Sequence, residues 1–128
     1  MLQDEKDEGI RQTLNLGHSL GHAIESYSLK TKTPLLHGES VMLGLLHELR
    51  LSERIFGLSK DVHFQLESLR EKFFPSLDFE YSYTDIETFL RHDKKNKGGI
   101  RMSLLKQIGL CEIQVLVTIN QIHETFNQ

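Results

Sequence analysis

The sequence predicts a mainly α domain with one small β-hairpin. Two observations carry that prediction. Apolar residues recur at helical spacing in segments bounded by capping and stop residues. After a turn-forming loop, two short runs rich in Ile, Leu and Val flank Gly109 and read as paired strands. The first helix spans about residues 7–27, followed by a loop from Ser28 to Leu36 that contains Pro34. His37-Gly-Glu39-Ser40 opens a second helix, carrying Val41, Leu45 and Leu49 and ending at Gly57. Ser59 caps a third, with Val62, Leu66, Leu69 and Phe73 as its core face and Pro75 as its stop. Thr84-Asp-Ile-Glu87 has the form of a capping box and opens a fourth helix that runs to about His92. Strands follow at 100–105 and 110–116, and Thr118-Ile-Asn-Gln121 caps a last helix bearing Ile122 and Phe126.

A chain of 128 residues makes a single domain, 1–128, able to bury a core. Its 38% apolar and 26% charged residues are those of a globular protein. The net charge of −3 gives no reason to expect nucleic acid or an anionic membrane as a partner. No apolar run approaches the ~20 residues of a membrane span, and the acidic start is unlike a signal peptide. One cysteine, Cys111, excludes an internal disulfide, and the expected location is the cytoplasm.

The run Arg11 to Glu25 holds the densest chemistry. On one helix, Asp7, Arg11, Asn15, His18, His22 and Glu25 fall within a sector of about 80°. The rest of the circumference is Ile10, Leu14, Leu16, Gly17, Leu20, Gly21, Ala23 and Ile24. Such a helix wants burial, and a charged stripe along it wants partners. His18 and His22 stand one turn apart, a spacing that suits a divalent transition metal but equally describes two capped or surface histidines. Gly17 and Gly21 each cost the helix ~1 kcal/mol relative to alanine, which implies something packed closely against the backbone.

His37, at a helix entrance beside Gly38 and Glu39, is a third candidate ligand or an ordinary loop histidine. His47, His63, His92 and His123 lack comparable surroundings and read as structural or exposed. Asp93-Lys94-Lys95-Asn96-Lys97-Gly98-Gly99 offers ammonium groups and backbone N–H groups to a phosphate or carboxylate, although charge runs more often form solvated surface. Neither a P-loop nor a dinucleotide fingerprint is present, and Cys111 has no histidine partner that would activate it.

Asp4 to Glu25, the following Leu36-His37-Gly-Glu39-Ser-Val, the Asp93-Lys94-Lys95 loop and the Ile108-Gly109 turn closely resemble the 3-dehydroquinate synthase family. The resemblance runs over nearly the whole chain and covers only the C-terminal part of the family's proteins. It therefore implies the helical metal-binding domain of that fold, without the N-terminal NAD-binding domain. It also implies a cytoplasmic enzyme of the shikimate pathway of aromatic amino acid biosynthesis. This lyase converts 3-deoxy-D-arabino-heptulosonate 7-phosphate to 3-dehydroquinate and phosphate, as a homodimer in full-length form. Its cofactors would be a divalent metal, zinc or cobalt, and NAD held by the missing domain.

By the same resemblance His18 and His37 are metal ligands, His22 transfers a proton near the phosphate, and Arg11 and Asn15 contact substrate. Lys94 or Lys95 reaches the substrate's anionic groups. Asp7 stands where the family more often has a glutamate as proton acceptor, one methylene longer. Glu25, on the same stripe, is expected to orient a ligand. The third protein ligand, a glutamate, lies upstream of this segment, so the isolated chain is expected to bind metal weakly and to be inactive. Two other readings stay open: a related cyclase or dehydrogenase of the same architecture, and a helical metal-binding module without catalysis. Loss of the partner domain would leave an exposed cleft at the stripe, with self-association through it.

Overall fold

The computed structural model describes residues 18–93, 99–107 and 110–127. Five helices and one hairpin are described: α1 (His18–Ser28), α2 (His37–Phe56), α3 (Lys60–Phe73), α4 (Tyr83–Asp93), β1 (Ile100–Gln107), β2 (Leu110–Val117) and α5 (Ile119–Glu124). A 3₁₀ turn, Thr125–Asn127, closes the described part of the chain.

α2 is the central element. α1 packs along it, α3 and β1 also rest against it, and α4 covers α1. The core joins Leu20, Ala23 and Ile24 of α1, Leu51 of α2, Ile86 and Leu90 of α4, Ile100, Met102 and Leu104 of β1, Val117 of β2 and Ile122 of α5. Leu20, Ala23 and Ile24 are fully buried, as the apolar girth of the first helix required. Each of the two larger side chains gains ~1.5–3 kcal/mol from that burial.

Several local signals act as expected. Gly57 takes φ 75°, the left-handed C-cap that ends α2. Ser59 accepts from the Asp61 N–H at 3.2 Å. Thr118 and Gln121 form a reciprocal box, with bonds of 3.1 Å and 2.8 Å. The box that opens α4 sits two residues earlier than expected: the Ser82 N–H donates to Asp85 at 2.9 Å, and Ser82 Oγ accepts from the Asp85 N–H. Thr84 and Glu87 lie inside the helix instead.

The face of α3 also departs from expectation. Leu69 is 47% and Phe73 63% exposed, and no residue of this helix is fully buried. Helical spacing fixes which side chains share a face. Burial needs an element laid over that face, and the main neighbour of α3 is α2 alone.

β1 and β2 pair antiparallel, with Ile100 opposite Val117, Met102 opposite Val115 and Leu104 opposite Glu112. Ser103 therefore faces two residues, Ile113 and Gln114. Gln114 takes φ 57° as part of this bulge, the kind of irregularity that bends a strand locally.

Candidate metal and substrate site

The stripe that began as a helical pattern places three described residues on α1: His18, His22 and Glu25. His22 is exposed, whereas His18 and Glu25 are half-buried. Two features hold α2 against this face. A Cβ on Gly21 would lie 2.9 Å from the Ser40 carbonyl oxygen and 3.1 Å from Val41 Cα, so the two helices touch backbone to backbone there. The loop between them is tied by Ser28, fully buried, whose Oγ donates to the Glu25 carbonyl at 2.8 Å and accepts the Leu35 N–H at 3.0 Å.

That loop delivers His37 to the first turn of α2. The Leu36 N–H donates to Glu39 Oε1 at 2.8 Å, which fixes the chain's entry into the helix. The His37 ring then stands with its centre 5.3 Å from that of His18. Its Nδ1 lies 2.9 Å from Glu25 Oε1. A carboxylate only accepts, so the proton of this bond sits on Nδ1 and the lone pair of the neutral ring on Nε2. Ser40 Oγ donates to the His37 carbonyl at 2.8 Å.

The arrangement fits a metal. Two imidazoles on one tetrahedral zinc, with Zn–N near 2.0–2.1 Å, put their ring centres about 5 Å apart. One ring has its other nitrogen occupied by a carboxylate, the usual support of a ligating histidine. Two nitrogen donors alone leave a catalytic zinc one protein ligand short. Among the described residues no group of three or more His, Cys, Asp or Glu side chains could hold an ion. Asp7, Arg11, Asn15, Lys94 and Lys95 lie outside the described residues. The site faces solvent: the His37 side chain is 62% exposed and Leu36 72%.

His47 shows what a structural histidine looks like in the same helix. Thr125 Oγ1 donates to the Ile122 carbonyl at 2.6 Å and so accepts from His47 Nδ1–H at 2.9 Å. Nε2 then accepts the Tyr81 hydroxyl at 2.7 Å, and Phe126 stacks on the ring at 4.2 Å. Both nitrogens are used, and nothing is left for a ligand. Burial, reinforced by Arg50, pushes the His47 pKa down to about 3.

The sign of the linkage follows. Between its unfolded value of ~6.5 and its folded value the unfolded chain binds the extra proton, so stability is full above ~6.5 and falls as pH drops. From pH 6.5 to 5, wild type should lose roughly 1–2 kcal/mol through this group. Thermal melts of His47→Gln should show that pH slope gone; an unchanged slope would mean the ring is not buried neutral.

Other candidates recede. Burial, with the carboxylates of Glu48 and Glu112, pushes the Cys111 thiol up, away from the thiolate a nucleophile needs. A shallow cavity of 190 Å³ between α2 and α3 is lined by Arg50, Glu53, Lys60, His63 and Phe64. It lies about 20 Å along α2 from His37 and shares no residue with the stripe.

The 3-dehydroquinate synthase C-terminal family matches residues 1–96, three quarters of the chain. The chain belongs to the 3-dehydroquinate synthase family. It is 41% identical over 122 residues to the 3-dehydroquinate synthase of Clostridium tetani, covering 93% of this chain and 31% of that protein. It is 38% identical over 127 residues to that of Parabacteroides distasonis, covering 98% and 36%. The chain thus spans about a third of the length of these relatives. Among solved structures, 2-deoxy-scyllo-inosose synthase complexed with carbaglucose-6-phosphate, NAD+ and Co2+ superposes with a TM-score of 0.73 at 19% identity. That match covers 88% of this chain and 33% of the other, and it establishes a dehydroquinate synthase-like fold. No described helix is long and apolar enough to cross a membrane.

Ser40 is the neighbour of this site that sequence reasoning did not single out. A serine in the first turn of a helix is too common to signal anything, and only the fold brings it to Glu25.

Proposed function

We propose that this chain is the metal- and substrate-binding domain of a 3-dehydroquinate synthase acting with an upstream NAD-binding domain. The whole enzyme, a cytoplasmic homodimer in this reading, converts 3-deoxy-D-arabino-heptulosonate 7-phosphate to 3-dehydroquinate and phosphate. The observation that carries it is the meeting of His18 and His37, 19 positions apart, with Glu25 behind the second ring. The NAD+ and Co2+ of the inosose synthase complex support the same pair of cofactors here.

Zinc or cobalt, held by His18, His37 and a carboxylate from the upstream domain, supplies Lewis acidity at the hydroxyl to be oxidised. The chain's own residues do the rest. Arg11 offers a planar fork to a substrate oxyanion, and Asn15 offers the substrate an amide. Lys94 and Lys95 draw the substrate's phosphate or carboxylate as point charges. His22, one turn beyond His18 and exposed, moves a proton at the departing phosphate. Asp7 accepts the proton that oxidation of the neighbouring hydroxyl acidifies. Together these groups position an anionic sugar and handle its protons.

The test is turnover. The enzyme joining this chain to its upstream domain should release phosphate from this substrate in the presence of NAD+ and cobalt, and the 128-residue chain alone should release none. Turnover of a different phosphorylated sugar in its place would assign a related cyclase. No turnover of either would leave a binding module.

A further inference from the structure

We infer that Glu25 is a positioning residue, which locks the His37 imidazole in the tautomer and orientation that metal binding requires. The inference rests on the metal reading above. His37 stands at the exposed start of a helix, where an imidazole has several rotamers and two tautomers open to it. Its side chain is 62% exposed, while that of Glu25 is only 25% exposed. The carboxylate is therefore the fixed partner and the ring the held one.

Glu25 and His18 are seven residues apart on α1, so they share a face about 10 Å apart along its axis. The His37 ring bridges them, bonded at Nδ1 to Glu25 and adjacent to His18. With the Nδ1 edge tied at the Glu25 end, Nε2 is the nitrogen left to ligate. The His37 backbone is held as well: Ser40, fully buried, donates its one hydroxyl proton to the His37 carbonyl at 2.8 Å.

The test uses the enzyme that joins this chain to its upstream domain. Nitrogen-detected NMR of labelled histidines reads the His37 tautomer without metal, and competition against a chromophoric chelator reads cobalt and zinc affinity. In wild type the proton should sit on Nδ1. In Glu25→Ala the two tautomers should mix, and metal affinity should fall about 10–100-fold with the circular dichroism unchanged. Glu25→Gln, whose amide oxygen still accepts from Nδ1–H, should restore the tautomer and much of the affinity. Equal affinity in wild type and Glu25→Ala, or an Nε2 proton in metal-free wild type, overturns the positioning role alone. A wild-type enzyme that takes up neither metal overturns the metal reading with it.

Discussion

His37→Ala should strip the enzyme of its metal and lower kcat/KM by about 10³-fold or more, because the Lewis acid supplies several kcal/mol of transition-state stabilisation. The substitution is mild for the fold. His37 is exposed in the first turn of α2, its ring makes no core contact, and alanine is the best helix former. Thermal stability should therefore stay near wild type, which separates loss of a ligand from loss of structure. His18→Ala should behave alike. His22→Ala should not: metal content stays full, and the rate falls by the 10²–10⁴ typical of a lost proton-transfer group. Metal analysis beside steady-state kinetics on the three variants checks both halves. A His37→Ala enzyme that retains stoichiometric metal would remove this residue from the site. A His22→Ala enzyme that loses metal would restore the i, i+4 chelating pair that spacing alone suggests.

That contrast shows how far the sequence could be read. Periodicity alone placed Leu20, Ala23 and Ile24 in the core and set His18, His22 and Glu25 on the opposite side, and all six lie where that pattern puts them. Local chemistry also marked Gly57, Ser59 and the Thr118–Gln121 box correctly, because a cap depends only on residues within one turn. Where two boxes with the same spacing overlapped, Ser82–Asp85 and Thr84–Glu87, local chemistry could not choose between them. Leu69 and Phe73 are exposed against the pattern because an amphipathic face does not say whether another element covers it. The meeting of His18 with His37 is a case of the same kind. Nothing in spacing links His18 to His37, and family resemblance was the signal that joined them before the fold did. The partners of His47, Tyr81 and Thr125, lie 34 and 78 positions away, a separation no pattern bridges.

Gly21→Ala should be a damaging single-methyl change at the contact of α1 with α2, and Gly38→Ala is its natural control. Both glycines lie within helices, where alanine by itself gains up to ~1 kcal/mol. At Gly38 a Cβ meets nothing within 4 Å, so the propensity gain stands and the domain should keep or slightly raise its Tm. At Gly21 the Cβ would sit 2.9 Å from the Ser40 carbonyl oxygen and 3.2 Å from its carbon. These are backbone atoms of α2 and cannot rotate aside. Relief requires the helices to part, and overpacking of this kind costs typically ~1–3 kcal/mol. Against the full propensity gain, the net loss is up to about 2 kcal/mol, or up to several degrees in Tm for a domain of this size. Parting α1 from α2 also draws His18 and Glu25 away from His37, since all three meet across this contact. Metal affinity should therefore drop in Gly21→Ala and hold in Gly38→Ala, although Gly38 is next to His37 in sequence and Gly21 is 16 positions from it. If both variants melted and bound metal alike, the close approach of α1 and α2 would not be what sets the geometry of the site.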